Sequence, residues 1–151
     1  MILSDYKDFP RDGRVLGLDW GARRCGVAVS DEKRDFVFTR PQINIKTQDE
    51  LQSAVIQLLE HENIVGIVIG LPLHNDGSDS ETTVLVRAFA NNLSEHANLP
   101  IIFIEENLTS TMAEQEMGQK SWVKKKSELD SMSAKIILEN AIAMLKRLTQ
   151  A

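Results

Sequence analysis

The run from Val15 to Asp31 constrains this chain more than any other stretch. Val15, Leu16 and Leu18 are apolar on successive positions, the signature of a strand buried on both faces. Cys25, Val27 and Val29 then repeat every second residue, the period of a pleated strand. Between them Gly21 frees the backbone for a tight reversal, so the two runs are expected to pair as a hairpin. Asp19 stands near the exit of the first strand. A carboxylate among apolar neighbours is costly unless it is paired or holds a cation. Two readings of Asp19 follow: a metal-binding carboxylate at a strand end, or a turn aspartate bonded to local amides.

Phe36 to Phe38, then Ile43 and Ile45, suggest a third strand, interrupted or ended near Pro41. Thr47 opens a helix with Leu51, Ala54, Val55, Leu58 and Leu59 on one face. Ile64 to Gly70 is a buried strand rich in branched residues. Strand, helix, strand at this spacing predicts a parallel crossover. Leu71 to Ser78 is dense in turn formers. Ser80 caps a helix whose inner face would carry Leu85, Ala88, Phe89 and Leu93. Ile101 to Ile104 is another buried strand, running into Glu105 and Glu106. A short helix is expected from Thr109 or Ser110 to Met117, an irregular basic stretch over 119–127, and a final helix from about Glu128 to Leu148. Its inner face would carry Ile137, Ala141, Met144, Leu145 and Leu148. The order predicts an α/β fold: a mixed five-stranded sheet flanked by helices on both faces. Residues 1–13 read as a loose lead-in and 14–148 as a single domain.

The 151 residues suit one domain, and 26% charged residues argue against disorder. The single cysteine, Cys25, fits a reducing compartment. The first residues lack the pattern of a secretory signal, and the longest apolar run is too short to cross a bilayer. A cytoplasmic protein without a membrane segment is expected. The net charge of −5 argues mildly against unspecific nucleic-acid binding. Local basic clusters stand against that average: Arg23 and Arg24 in the first turn, Lys33 and Arg34 in the next, and Lys124, Lys125 and Lys126 before the last helix.

Acidic residues end three elements. Asp19 closes the first strand, Glu105 and Glu106 close the last, and Asp130 opens the final helix. In open α/β sheets, sites form beyond the carboxyl ends of strands. Converging carboxylates repel unless a divalent cation neutralises them, and oxygen ligands favour Mg²⁺ or Mn²⁺. Such a site suits phosphodiester hydrolysis. Read singly, the same residues are helix-capping and helix-dipole carboxylates, and sequence order does not establish that they converge.

Four ordered blocks resemble the YqgF (RuvX-like) family. They are Gly17-Leu18-Asp19-Trp20-Gly21 with Arg24 to Asp31, then Gly70 to Ser78, then Glu105 to Ser110, then Leu129 to Ala134 with Ile136 to Leu138. The resemblance spans about Arg14 to Leu148. It implies an RNase H-like fold and a nuclease related to Holliday-junction resolvases that trims the 5′ end of pre-16S ribosomal RNA. By motif position it implies Asp19, Glu106 and Asp130 as catalytic, metal-binding carboxylates for Mg²⁺ or Mn²⁺. It also implies a structured nucleic-acid partner, pre-rRNA ahead of DNA junctions. Arg23, Arg24, Lys124, Lys125 and Lys126 are the expected phosphate contacts, with Glu105, His74 and Asn75 secondary. Two positions depart from the pattern. The usual Asp before the catalytic Glu is Glu105, and the usual Arg after it is Asn107, which removes a fork-shaped phosphate donor. A non-catalytic ribosome-assembly module on the same fold is therefore the competing reading. A nucleotide-cradling ATPase ranks last, since those folds close two domains around nucleotide and this length holds one.

Overall fold

In the computed structural model the described residues are 1–106 and 122–150; of 122–131, 149 and 150 only the helical backbone is described. The hairpin forms as expected. Strand β1 (Arg14–Trp20) pairs antiparallel with β2 (Arg24–Ser30). Strand β3 (Val37–Asn44) pairs antiparallel with β2 on its far side. Helix α1 (Gln48–His61) crosses to β4 (Ile64–Leu71), and α2 (Glu81–His96) to β5 (Ile101–Glu105). β4 runs parallel to β1, and β5 parallel to β4. The sheet order is β3-β2-β1-β4-β5, and helix α3 (Trp122–Gln150) follows.

The two sheet faces carry different cores. Leu16, Leu18 and Trp20 pack with Leu51, Val55 and Leu59 of α1 and with Val86, Phe89 and Leu93 of α2. Val15, Ala28, Val68 and Ile102 pack with Ala134, Ile137, Leu138 and Ala141 of α3 on the other face. This alternation is the two-residue period of the pleat. It places Gly17 and Asp19 on the α3 face, in line with Val15.

Local signals set the helix starts. The Thr47 hydroxyl accepts from Glu50 N–H at 3.1 Å, capping α1. Ser80 and Thr83 form a reciprocal capping box on α2. Asn63 takes the left-handed conformation at φ 55° and turns the chain from α1 into β4.

Several expectations are corrected. At Pro41 the third strand is interrupted by a bulge, as one of the two readings had it, and does not end there, because β3 is the edge of the sheet. Cys25 and Val27 of β2 pair with Ile43 and Arg40, which leaves an extra residue on β3 where Pro41 and Gln42 sit. In α2, Leu85 and Ala88 face solvent. Thr83, Val86 and Ala90 join Phe89 and Leu93 inside, a stripe at three- and four-residue spacing that leaves Leu85 and Ala88 off it. The last helix begins at Trp122, so residues 122–127 are helical and not irregular. Leu148 is exposed, beyond the point where α3 covers the sheet. The lead-in is not loose. Leu3 N–H bonds the Ile101 carbonyl at 2.8 Å, and Ile101 N–H bonds the Met1 carbonyl at 2.8 Å. Phe9 is 3% exposed and fills the space above Gly66, where a Cβ would lie 2.4 Å from its ring. The short helix expected over 109–117 lies outside the described residues.

Candidate metal centre

The carboxyl ends of β1, β4 and β5 meet at one edge of the sheet. β1 and β4 run in register through Leu18 and Ile69, so Asp19 stands beside Gly70 at the next rung. On its other side Asp19 pairs with Gly26 of β2. The carboxylate therefore rises between two residues that carry no side chain. That leaves open space on the α3 face, with neighbouring backbones about 5 Å away.

Glu106 enters this space. It follows β5, its N–H bonds the Leu71 carbonyl at 3.2 Å, and its side chain is 6% exposed. A Cβ added at Gly70 would lie 3.2 Å from the Glu106 carboxyl carbon and 3.3 Å from Oε2. The same Cβ would lie 2.5 Å from Ile137 Cδ1. Gly70 is thus the floor of a cradle that the Glu106 carboxylate occupies, with Ile137 as its apolar wall. Glu105, one residue earlier, is exposed and turned away. Its charge, after burial, helps hold the Tyr6 hydroxyl above its ordinary pKa.

Helix α3 approaches this edge with its N-terminal half. Ala134 O and Leu138 Cβ lie 3.2 and 2.8 Å from a Cβ built on Gly17. Ile142 and Leu145 pack with Phe9 at the opposite end of the sheet. The helix therefore climbs toward the carboxyl ends of β1 and β4 as residue numbers fall. The backbone of residue 130 lies one turn, about 6 Å, before Ala134. The Asp130 side chain lies outside the described residues, as do those of Lys124, Lys125 and Lys126. Among the described residues no group of three metal-ligating side chains is complete.

Arg23 is exposed in the β1–β2 turn, where Gly21 N–H bonds the Arg24 carbonyl at 2.9 Å. Arg24 opens β2, one residue past that turn. Both lie at the same sheet edge as Asp19. His74 and Asn75 are exposed in the loop after β4. Thr83 donates to the Pro72 carbonyl and ties that loop to the start of α2. His74 N–H bonds the Ser78 carbonyl at 2.9 Å. The turn itself is held by Asp76, whose Oδ1 accepts from Ser78 N–H and Oγ–H at 2.9 and 2.6 Å. These bonds, the hydroxyl's first, lower the Asp76 pKa. Lys33 and Arg34 lie at the far edge, away from the carboxylates. Trp20 faces the α1–α2 core, consistent with packing. Gly70 and Ile137 were not singled out for the site in the sequence. The signal was available as a glycine closing an otherwise branched strand.

A divalent cation fits this place. The donors are carboxylate oxygens, and the glycine floor keeps two of them close without a side chain between.

Comparison with known proteins identifies the family and the fold. The model of the RuvX family, described as Holliday junction resolvase, matches residues 13–144. A protein of Maridesulfovibrio salexigens named "Putative pre-16S rRNA nuclease" is 42% identical over 86% of this chain and 98% of its own. One of Mesorhizobium japonicum with the same name is 36% identical over 93% and 86%. Among solved structures, Thermus thermophilus RuvC superposes with TM-score 0.55 at 12% identity, covering 88% of this chain and 96% of that one. The yeast mitochondrial Holliday junction resolvase Ydc2 gives 0.53 at 14%, covering 96% and 85%. These two share the RNase H-like fold.

Proposed function

We propose, since this chain belongs to the RuvX family of Holliday junction resolvases, that it is a divalent-metal nuclease whose substrate is the 5′ region of pre-16S ribosomal RNA. The observation that carries the reading is the buried Glu106 carboxylate seated on Gly70 beside Asp19. The relatives' shared name supports the RNA substrate. The reading takes residues 14–148 as one nuclease domain. It places the protein in the cytoplasm, where rRNA precursors are processed and where a free buried Cys25 persists. Among the described residues no helix is long and apolar enough to cross a membrane.

In this reading Asp19 and Glu106 hold Mg²⁺ or Mn²⁺, with Asp130 completing the set from α3. The ion supplies a water of lowered pKa and neutralises charge on the phosphate oxygens. Glu106 presents its carboxylate from a nearly dry position, where its orientation is fixed by Ile137 and Gly70. Asp19 is partly solvent-accessible and faces the incoming strand. Arg23 and Arg24, at the same sheet edge as Asp19, would contact backbone phosphates, and the sequence motif adds Lys124, Lys125 and Lys126 as further phosphate contacts. His74 and Asn75 border the same edge on the loop pinned by Thr83, as secondary contacts.

Labelled pre-16S RNA and four-way DNA junctions, incubated with Mn²⁺, test the assignment. Asp19→Asn, Glu106→Gln and Asp130→Asn should each remove cleavage by 10²-fold or more (about 3 kcal/mol) while far-UV dichroism stays unchanged. Undiminished cleavage in any of the three removes that residue from the centre. Tight, metal-independent binding of either nucleic acid without turnover would instead make the chain an assembly module.

A further inference from the structure

A second site lies at the opposite edge of the sheet. There the turn after β2 folds back toward the N-terminal segment and the end of α3. A cavity of about 140 Å³ opens between these three pieces. Lys7, Arg11, Lys33, Arg34 and Lys146 line it, and no carboxylate does among the described residues. Five cations around one small cavity are unexpected on a chain of net charge −5. The remaining wall is apolar, with Ile142, Leu145 and Leu148 on the helix side.

Arg34 is the built part of this site. It is 5% exposed and adopts the left-handed conformation at φ 60°, which a side chain enters only at a cost. Four contacts hold it there. Arg34 N–H bonds the Asp31 carbonyl at 3.1 Å, and Lys146 Nζ donates to the Arg34 carbonyl at 2.9 Å. Its Nε donates to the Gly13 carbonyl at 2.8 Å, and its guanidinium lies 5.6 Å from the centroid of the Phe9 ring. Nη2 remains buried without a hydrogen-bond partner. A buried guanidinium is costly to desolvate, and its fixed positive charge beneath the cavity favours an anion at the rim. Asp12 acts on Arg34 only through space, and Asp35 lies 3.5 Å from Lys146, so neither fills the cavity.

We propose that this cavity binds a phosphate monoester carrying a ring, as in a nucleoside monophosphate. The phosphate would meet the rim cations Lys7, Arg11, Lys33 and Lys146, with the buried Arg34 guanidinium adding its charge from beneath, and the ring would lie on Leu145 and Leu148. The cavity is close in size to one that holds a single benzene ring, about 150 Å³, so the phosphate rides at its mouth. The cations match a dianion better than a carboxylate, and the exposed guanidinium fork of Arg11 suits phosphate oxygens. A free nucleotide and the 5′-phosphorylated end of a strand present this same chemistry. The proposal does not depend on the carboxylate centre, which lies at the other end of the strands.

Titration of the full chain in EDTA, by calorimetry and amide-shift mapping, separates the possibilities, since chelation silences metal-held nucleotide at the carboxylates. AMP should bind at least tenfold more tightly than adenosine or inorganic phosphate, shifting amides of Lys7, Lys33, Arg34 and Lys146. The exposed-rim variant Arg11→Gln/Lys33→Gln should weaken AMP at least tenfold with an unchanged melting temperature. A trinucleotide with a 5′-phosphate, compared with its 5′-hydroxyl form and with AMP, assigns the ligand to a strand end or to free nucleotide. Equal affinity for AMP and phosphate, no binding at millimolar AMP, or binding indifferent to the rim variant each overturns the proposal.

Discussion

Replacing Gly70 with Ala separates the two duties of the cradle. The new Cβ meets Ile137 Cδ1 at 2.5 Å and the Glu106 carboxyl carbon at 3.2 Å. The methyl is the far end of a flexible side chain and must retreat by more than 1 Å to reach ordinary contact at about 3.8 Å. The carboxyl group must move by about 0.4 Å to reach about 3.6 Å. Overpacking of this kind costs about 1–3 kcal/mol. Restricting the unfolded chain returns about 0.4–1 kcal/mol, because Gly70 is not in a positive-φ conformation. The net loss is about 1 kcal/mol, or about 3 °C in Tm for a domain this size. A misplacement of 1 Å costs about 10²-fold in rate, so a shift less than half as large should cost about tenfold. Ile137→Val removes the very atom at 2.5 Å. In the double variant, stability by urea denaturation should be no lower than in Gly70→Ala alone. Cleavage of pre-16S RNA should remain about tenfold down, because the Glu106 contact persists. Recovery of both stability and cleavage in the double variant, or wild-type cleavage by Gly70→Ala, would refute the view that Gly70 seats Glu106.

Glu62 is held by Arg40 and Arg14, each at 2.8 Å, and the Arg40 hydrogen bond leads in lowering its pKa. A lowered folded pKa stabilises above the unfolded value and is lost as pH falls through the folded one. Glu62→Gln should therefore cost about 1 kcal/mol at pH 7 and nothing once Glu62 is protonated in the wild type, as read by urea denaturation at falling pH. Ser80→Ala opens the α2 capping box and should cost about 1 kcal/mol; an unchanged Tm would mean that Thr83 alone caps the helix. Phe9→Ala empties the space over Gly66 and should cost about 3–5 kcal/mol. Thermal melts check this, and a loss below 1 kcal/mol would show that the N-terminal segment is not part of the core.

The hairpin, the parallel crossovers and both helix caps were legible because each rests on a local signal: Gly21, Thr47 and Ser80 with their neighbours. The misreadings arose where a distant partner decides. Pro41 reads as an interruption or an end of its strand until pairing with β2 shows a bulge in β3 opposite Gly26. Leu85 fits an apolar stripe, yet α2 packs on the sheet through Val86, Phe89, Ala90 and Leu93 and leaves Leu85 51% exposed. Phe9 sits in a polar, turn-rich stretch, and only the missing side chain of Gly66 gives it somewhere to go. At the candidate centre, Asp19 and Glu106 were named from position in the chain. Their closeness depends on the register of β1 against β4, which periodicity does not encode. The far cavity was invisible, since Lys7, Lys33 and Lys146 are spread over nearly the whole sequence.

Helix α3 packs on one face of the sheet and follows all five strands in sequence. On a ribosome the strands emerge first, and domains fold as their parts become available. Until α3 leaves, Val15, Ala28, Val68 and Ile102 have nothing to pack against, and Glu106 lacks the wall that Ile137 provides. A chain whose sheet has formed before α3 docks therefore has Glu106 in place without the apolar wall that holds it against Gly70.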